Sequence, residues 1–309
     1  MIGLELSGGL GNQMFRYAFA RAYWEKRGKK EDLVLNFFKV NRHGADGDLE
    51  NFQIMDFQKE CCPRLLYKIG TTTQKLYFRI YGIQKRLARF TRLASEHDVY
   101  HKWVPRLRKH GIVLVSGGNA DYEIDREHER IIINGNFENS KYFKDIIPVL
   151  KKEFVPRHGP LAENEHLYKV INETNSVCVN VRRGDYLKGV NKDNYFVCDL
   201  DYYKKAIELI REKVENPTFI FFSNDIQWVK DNIKLEEDCY YESGNDPVWE
   251  TFRLMYSCKH FIISNSTFHW WAQFMGNHPG KITIAPSRWY NNPDWESYLI
   301  EPSFLTIEK

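Results

Sequence analysis

The stretch VCVNVRRGDY, Val177 to Tyr186, and the stretch FIFFSND, Phe219 to Asp225, decide how this chain folds. Each is a short apolar run, rich in β-branched or aromatic residues, that ends abruptly in polar ones. Between them, Asp201 to Val214 repeats its apolar residues at helical spacing. A strand apolar on both faces, then a helix, then another such strand is the unit of a parallel sheet covered on both sides. The alternation continues with a helix over Asp225–Asn232, a strand over Cys239–Tyr241 and a helix over Val248–Cys258. Strand His260–Ser264, helix Thr267–Met275 and strand Ile282–Ala285 complete it.

Towards the N-terminus the pattern is sparser. Ile2–Leu6 reads as a strand, Gly8-Gly9-Leu10-Gly11 as a tight loop, and Asn12 to about Lys26 as a helix with Phe15, Phe19, Ala22 and Tyr23 on one side. Further strands are predicted at Leu33–Asn36, Ile112–Ser116 and Ile131–Asn134. A chain of this length suits two domains of about 150 residues each. The breaker cluster Val155-Pro156-Arg157-His158-Gly159-Pro160 marks the expected boundary. The reading is therefore α/β, with two Rossmann-like domains over 1–155 and 156–309.

Composition narrows the function classes. Hydrophobic residues at 43% and charged residues at 28% fit a globular chain rather than a disordered one. No run approaches the roughly 18 apolar residues of a membrane span. Ile2–Leu6 reads as a strand and not as a secretion leader. A cytoplasmic protein is expected, at most peripheral to the inner face of a membrane. Cysteines at 61, 62, 178, 198, 239 and 258 show no C-x-x-C spacing, so reduced thiols and no zinc are expected. The net charge of +3 hides a concentration: Arg64 to Gly111 carries twelve Lys/Arg against two acids. Within it, Lys75–Arg92 spaces Leu76, Ile80, Ile83, Leu87 and Phe90 as one helix face. Such a basic amphipathic helix can rest on an anionic membrane. The alternative is an ordinary domain helix with a solvated basic face.

Ligands of open α/β sheets bind beyond the carboxyl ends of the strands, which directs attention to four loops. Ser7 to Gln13 follows the first strand; Gly9 and Gly11 allow close backbone approach, and Asn12 and Gln13 can both donate to and accept from sugar hydroxyls. Arg182, Arg183 and Asp185 end an apolar strand that also carries Asn180, and guanidinium forks match phosphate oxygens. Asn265, Ser266 and Thr267 open a helix and suit an anion, although Ser266 or Thr267 is also expected to serve as N-cap. Ser223 and Asp225 form a weaker fourth site, with Asp225 either a cap or a partner for base or ribose. Asp46-Gly47-Asp48 and Asp199-Leu200-Asp201 have D-x-D form, but neither follows a buried strand, so no metal site is assigned.

Four segments together resemble glycosyltransferase family 11, which includes the α-1,2-fucosyltransferases. They are GGLGNQMFRYA from Gly8, NGNFENSKYF from Asn134, VNVRRGDY from Val179 and LMYSCKHFIISNSTFHWWAQF from Leu254. The resemblance implies a GT-B architecture whose two Rossmann-like domains face each other across a cleft, the N-terminal one on the acceptor side and the C-terminal one holding the nucleotide-sugar. It implies inverting transfer of L-fucose from GDP-β-L-fucose without a metal, to O2 of a β-galactoside on an oligosaccharide or lipid-linked glycan. It places Arg182, Arg183 and Asp185 at the donor diphosphate and sugar, Ser266 and Thr267 near the same phosphates, and Asn12 with Gln13 in the cleft-facing loop. Asp185 is the first candidate base and Glu138 the second. The chain departs from the family at Asn180, where histidine is usual, at His269, where serine is usual, and at Thr251, where an acid is expected. Rival readings are a different fucosyl linkage or acceptor, a dinucleotide-dependent oxidoreductase and a basic nucleic-acid binder. The second lacks its sixth glycine, because Met14 stands there. The third would use the basic stretch, and no nucleic-acid partner is expected.

Overall fold

The computed structural model describes residues 1–42, 48–91, 95–118, 124–195 and 197–308, and among these the side chains of Asn41, Arg42, Asp48 and Asp185 are outside the description. Arg92, at the end of the basic stretch, and the Asp46-Gly47-Asp48 sequence, save the backbone of Asp48, lie outside the described residues. The chain forms two compact units: Met1–Gly47 with Ile54–Leu150, and Asp48–Gln53 with Lys151–Lys309.

Unit 1 is built on strands β1 (Ile2–Glu5), β2 (Leu33–Asn36), β3 (Gln58–Glu60), β4 (Ile112–Val115) and β5 (Ile131–Gly135). They form a parallel sheet in the order β3-β2-β1-β5-β4, with Ile2 opposite both Leu33 and Ile131. β1, β2 and β4 are buried along their whole length, which is why they read as continuous apolar runs. Helices α1 (Leu10–Arg27), α2 (Phe38–Arg42), α3 (Leu65–Ile69), α4 (Thr72–Thr91) and α5 (Glu96–Arg108) connect and cover them. α1 stops at Gly28, whose φ of 98° is open to glycine, and whose N–H returns to the Glu25 carbonyl. On its buried side Phe19 stacks on Phe137 with ring centroids 4.0 Å apart. Phe15, Phe19 and Tyr23 are wholly buried, each worth about 1.5–3 kcal/mol against exposure.

Helix α6 (Ile147–Glu153) leads into unit 2. Its strands are β6 (Asn175–Val181), β7 (Pro217–Ser223), β8 (Cys239–Tyr241), β9 (His260–Ile262), β10 (Thr283–Pro286) and β11 (Leu305–Ile307). They form a second parallel sheet in the order β11-β10-β9-β6-β7-β8. The helices are α7 (Glu165–Glu173), α8 (Gly189–Tyr195), α9 (Leu200–Lys213), α10 (Ile226–Asn232), α11 (Val248–Ser257) and α12 (Thr267–Met275). Val177, Val179, Phe219, Phe221 and Ile262 meet Tyr203, Ala206, Ile207 and Ile210 of α9 in one core cluster. Trp270 and Trp271 are buried core residues, packed edge to face at 5.0 Å.

Both sheets reverse their direction of winding. From β6 the chain moves outward through β7 to β8, then returns to β9 on the other side of β6. In unit 1 it moves from β1 through β2 to β3, crosses to β4 on the opposite edge and turns back to β5, so β1 stands between β2 and β5. Adjacent loops diverge at such a reversal and leave a crevice at the carboxyl ends of the strands.

Candidate functional site

In unit 2 the loops after β6, β7 and β9 surround the reversal point and are tied together. Arg183 leaves β6 and lays its guanidinium over the Trp228 ring, 3.6 Å from the centroid, with Nε 3.3 Å from Asp225 Oδ2. Its backbone N–H donates to Asn224 Oδ1 at 2.9 Å. Gly184 follows with φ of 42°, and a Cβ there would come within 2.3 Å of the Asn224 amide, so the turn requires glycine. The Arg182 guanidinium lies 5.3 Å from the Tyr186 ring centroid, and the Tyr186 hydroxyl donates to the Asn265 carbonyl at 3.1 Å. The Arg183 contacts bind the loop after β6 to that after β7, and the Tyr186 hydroxyl binds it to that after β9. The Asp185 side chain lies outside the described residues.

Several predicted residues hold this arrangement in place. Asn265 is buried, and its amide donates to the carbonyls of Tyr195 at 2.8 Å and Trp289 at 2.7 Å, which commits both amide protons to the loop. Asp225 caps α10 by accepting the Trp228 N–H at 3.3 Å, so its carboxylate serves both the helix and Arg183. Ser223 Oγ accepts the Asp225 N–H at 3.0 Å. Ser266 occupies the N-cap of α12 in extended conformation, but makes no side-chain cap hydrogen bond. Asn180 is fully buried on β6; its Nδ2 donates to Cys178 Sγ at 3.3 Å, while its Oδ1 is buried with no hydrogen-bond partner among the described residues.

The departures from the family pattern have local accommodations. His269 is buried, with Nδ1 2.8 Å from Ser264 Oγ. Burial first, and then the nearby Arg182 charge, lower its pKa to about 3, so the ring is neutral at physiological pH. Thr251 Oγ1 donates to Glu242 Oε1 at 3.4 Å, so a carboxylate reaches this position from the chain after β8. Burial raises the pKa of Glu242.

In unit 1 the glycine loop turns at Gly8, with φ of 80°, and Gly9 is the N-cap of α1. Gly11 and Gln13 are buried, Gln13 donating to the Gly8 carbonyl at 3.1 Å, whereas Asn12 is half-buried. Gln13 therefore closes its own loop. Sequence reasoning missed Arg16, one turn further on. Buried on α1, it donates to the Glu5 carbonyl at 2.8 Å, Asn134 Oδ1 at 3.2 Å and Asn136 Oδ1 at 3.1 Å. Its Nε is buried without a partner among the described residues. Burial lowers its pKa to about 10 against the opposing pull of Glu138 and Glu5. Glu138 is pushed up by burial, with Arg16 acting against the shift. The available signal was positional: Arg16 is the one charged residue in the run Leu10–Ala20.

The second D-x-D sequence has ordinary work. Asp199 caps α9 by accepting the Tyr202 N–H at 3.0 Å, and Asp201 pairs with Lys205 at 2.7 Å. Among the described residues no group of three His, Cys, Asp or Glu could hold a metal ion. The six cysteines are free thiols, with Cys178, Cys198 and Cys258 buried. No helix among the described residues is long and apolar enough to cross a membrane.

Known proteins share this organisation. The alpha-1,2-colitosyltransferase of Escherichia coli is 29% identical over 99% of this chain and 98% of its own length. The O-antigen biosynthesis glycosyltransferase WbnK of Escherichia coli is 27% identical over 92% of this chain and 93% of its own. Human galactoside alpha-(1,2)-fucosyltransferase 1 is 33% identical over a shorter stretch, 32% of this chain and 28% of its own. Among solved structures, the fucosyltransferase NodZ from Bradyrhizobium superposes with a TM-score of 0.51 at 12% identity, covering 88% of this chain and 91% of that one. That likeness shows the fold, an α/β pair of Rossmann-like units of the GT-B type. Residues 129–304 match the sequence profile of glycosyl transferase family 11, more than half of the chain, which therefore belongs to that family.

Proposed function

We propose that this glycosyltransferase is an inverting, metal-independent α-1,2-fucosyltransferase that moves L-fucose from GDP-β-L-fucose to O2 of a β-galactoside in a glycan. The observation that carries the reading is the pair Arg182 and Arg183, leaving the central strand at the reversal point and oriented by Tyr186, Trp228 and Asp225. Two guanidinium groups already oriented by the fold suit the charge that builds on a departing diphosphate, and they stabilise it without reorganising. Ser266, Thr267 and the N-terminus of α12 add donors and a favourable dipole. The acceptor oxygen attacks the anomeric carbon as the bond to the β-phosphate oxygen breaks, and GDP leaves with the electron pair. The hydroxyl proton passes to a carboxylate. Asp185 is the first candidate and Glu138, whose burial raises its pKa towards the working range of a base, the second.

Titration calorimetry with GDP and GDP-fucose in the presence of EDTA tests this on wild type and on Arg182→Ala/Arg183→Ala. The expected result is binding that survives EDTA and collapses in the double variant. Binding seen only with a divalent metal, or none at all, overturns the donor assignment.

The near full-length similarity to a colitosyltransferase favours a second donor reading. Colitose is the 3-deoxy counterpart of fucose, so GDP-colitose would enter the same site. Comparing kcat/KM for the two donors separates them.

A peripheral membrane contact at a cytoplasmic face, with a lipid-linked acceptor, is supported by α4. Leu76, Ile83, Leu87 and Phe90 are each more than half exposed, between 52% and 73%, while Gln74, Tyr81 and Ala88 face inward. The apolar stripe thus lies on the outer side of the helix, flanked by lysines and arginines, and an anionic bilayer surface complements that pattern.

A further inference from the structure

Unit 1 holds a cavity of about 760 Å³ between α4 and the carboxyl edge of its sheet. Its size falls within the range of small-molecule sites, roughly 300–1,000 Å³. The floor comes from the ends of β4 and β5: Ser116, Asn134, Asn136 and the inner side of Arg16. Phe78, Tyr81 and Tyr100 form an aromatic wall. Tyr100 is fixed there, its hydroxyl accepting the Ser116 N–H at 2.8 Å. Polar floor and aromatic wall are the two surfaces that a sugar ring uses.

Charge sets this cavity apart. Arg64, Lys85, Arg86 and Arg89 line it together with Arg16, and among the described residues no carboxylate lines it. Glu96 engages Arg89 at 2.6 Å and Lys85 at 3.4 Å from outside the lining. Arg64 and Arg86 instead stand over the Phe78 and Phe90 rings, each 5.8 Å from the centroid, with no carboxylate partner among the described residues. A neutral glycan gains little from such a rim. A concave wall of one sign focuses potential, and guanidinium groups take phosphate or carboxylate bidentately.

We propose that this cavity binds the acceptor and selects one carrying a negative charge, phosphate or carboxylate, next to its sugar. The inference rests on the reading of the protein as a galactoside-modifying transferase, and it names the acceptor's chemical class. Calorimetric binding of lactose, lactose 1-phosphate and galactosyl-glucuronic acid, on wild type and on Arg64→Gln/Arg86→Gln, tests it. Both substituted residues are exposed, and an unchanged melting temperature verifies that the variant folds. In wild type at low salt at least one anionic sugar should bind about tenfold tighter than lactose or better, and the gap should close in the variant. A preference confined to the phosphate points to a lipid-linked acceptor, and one confined to the carboxylate points to an acidic sugar. Equal binding of all three sugars, no binding of any, or a preference that survives in the variant overturns the proposal. A parallel titration of wild type with GDP keeps the two readings apart: charge selection without GDP binding would remove the donor reading and leave the cavity's role standing.

Discussion

Arg182 and Arg183 are neighbours in sequence with different surroundings. Arg183 is held by Trp228 and Asp225, whereas Arg182 lies against the Tyr186 ring. Each single alanine variant should weaken GDP binding by about tenfold or more, the scale of one lost charge-assisted hydrogen bond, as read by calorimetry. Asp225→Asn should weaken it less, because the amide keeps an oxygen for the Trp228 N–H and gives up only the ion pair. An Asp225→Asn effect as large as that of Arg183→Ala would place Asp225 against the ligand itself. These loops were legible because two arginines at the end of an apolar strand are out of place without a partner. Arg16 was not, because arginines on helices ordinarily reach solvent along their own stems. Only the fold shows that Asn134 and Asn136 arrive from β5 to receive it.

α4 shows the limit of legibility at the next scale. Its period was readable: Thr71 and Gln74 form a reciprocal cap, the Gln74 N–H donating to Thr71 Oγ1 at 3.2 Å and Gln74 Oε1 accepting the Thr71 N–H at 2.9 Å. The direction of its apolar stripe was not, since periodicity reports that a helix has two faces and not which one the protein covers. Ile83→Ser/Leu87→Ser should change unfolding free energy by no more than about 0.5 kcal/mol, as for other surface sites, while abolishing sedimentation with anionic liposomes. Undiminished liposome binding would end the membrane reading of α4. Gln74→Ala should behave oppositely: its buried amide also donates to the carbonyls of His110 at 3.0 Å and Arg130 at 2.7 Å. Stranding them should cost about 1–3 kcal/mol in denaturant unfolding. Elements the sequence concealed are polar or short. β3 is Gln58-Lys59-Glu60 on the sheet edge, without a β-forming residue, and only its pairing to Val34–Asn36 defines it. α5 contains Pro105 near its end, a residue that ordinarily argues against a helix interior.

At the scale of the molecule, the parallel α/β architecture followed directly from VCVNVRRGDY, FIFFSND and their successors. The strand order did not, because alternation fixes the direction of each crossover and not the point where winding reverses. Buried imidazoles give the whole chain an acid limb. His269 is lowered to about 3 and His260 to about 4, both chiefly by burial. Unfolded histidines take protons near pH 6.5, so this stability is fully present above that pH and drains as pH falls towards 4 and 3. Thermal unfolding should record a falling melting temperature across that window. His269→Asn should flatten the fall; an equally steep decline in the variant would remove His269 from it and leave His260 and the carboxylates. The segment Asp48–Gln53 bears on the molecule differently. Leu49 and Phe52 are wholly buried, Phe52 meets Phe252 at 5.7 Å, and Asn51 accepts the Arg157 N–H at 2.7 Å, all within unit 2. The backbone therefore passes between the units three times rather than once. A gene severed between Leu150 and Lys151 would give one fragment with two stranded hydrophobic side chains and another with a vacancy to match. Such halves should recover native structure only when mixed, which makes the chain a candidate for split-protein complementation and a poor one for domain dissection.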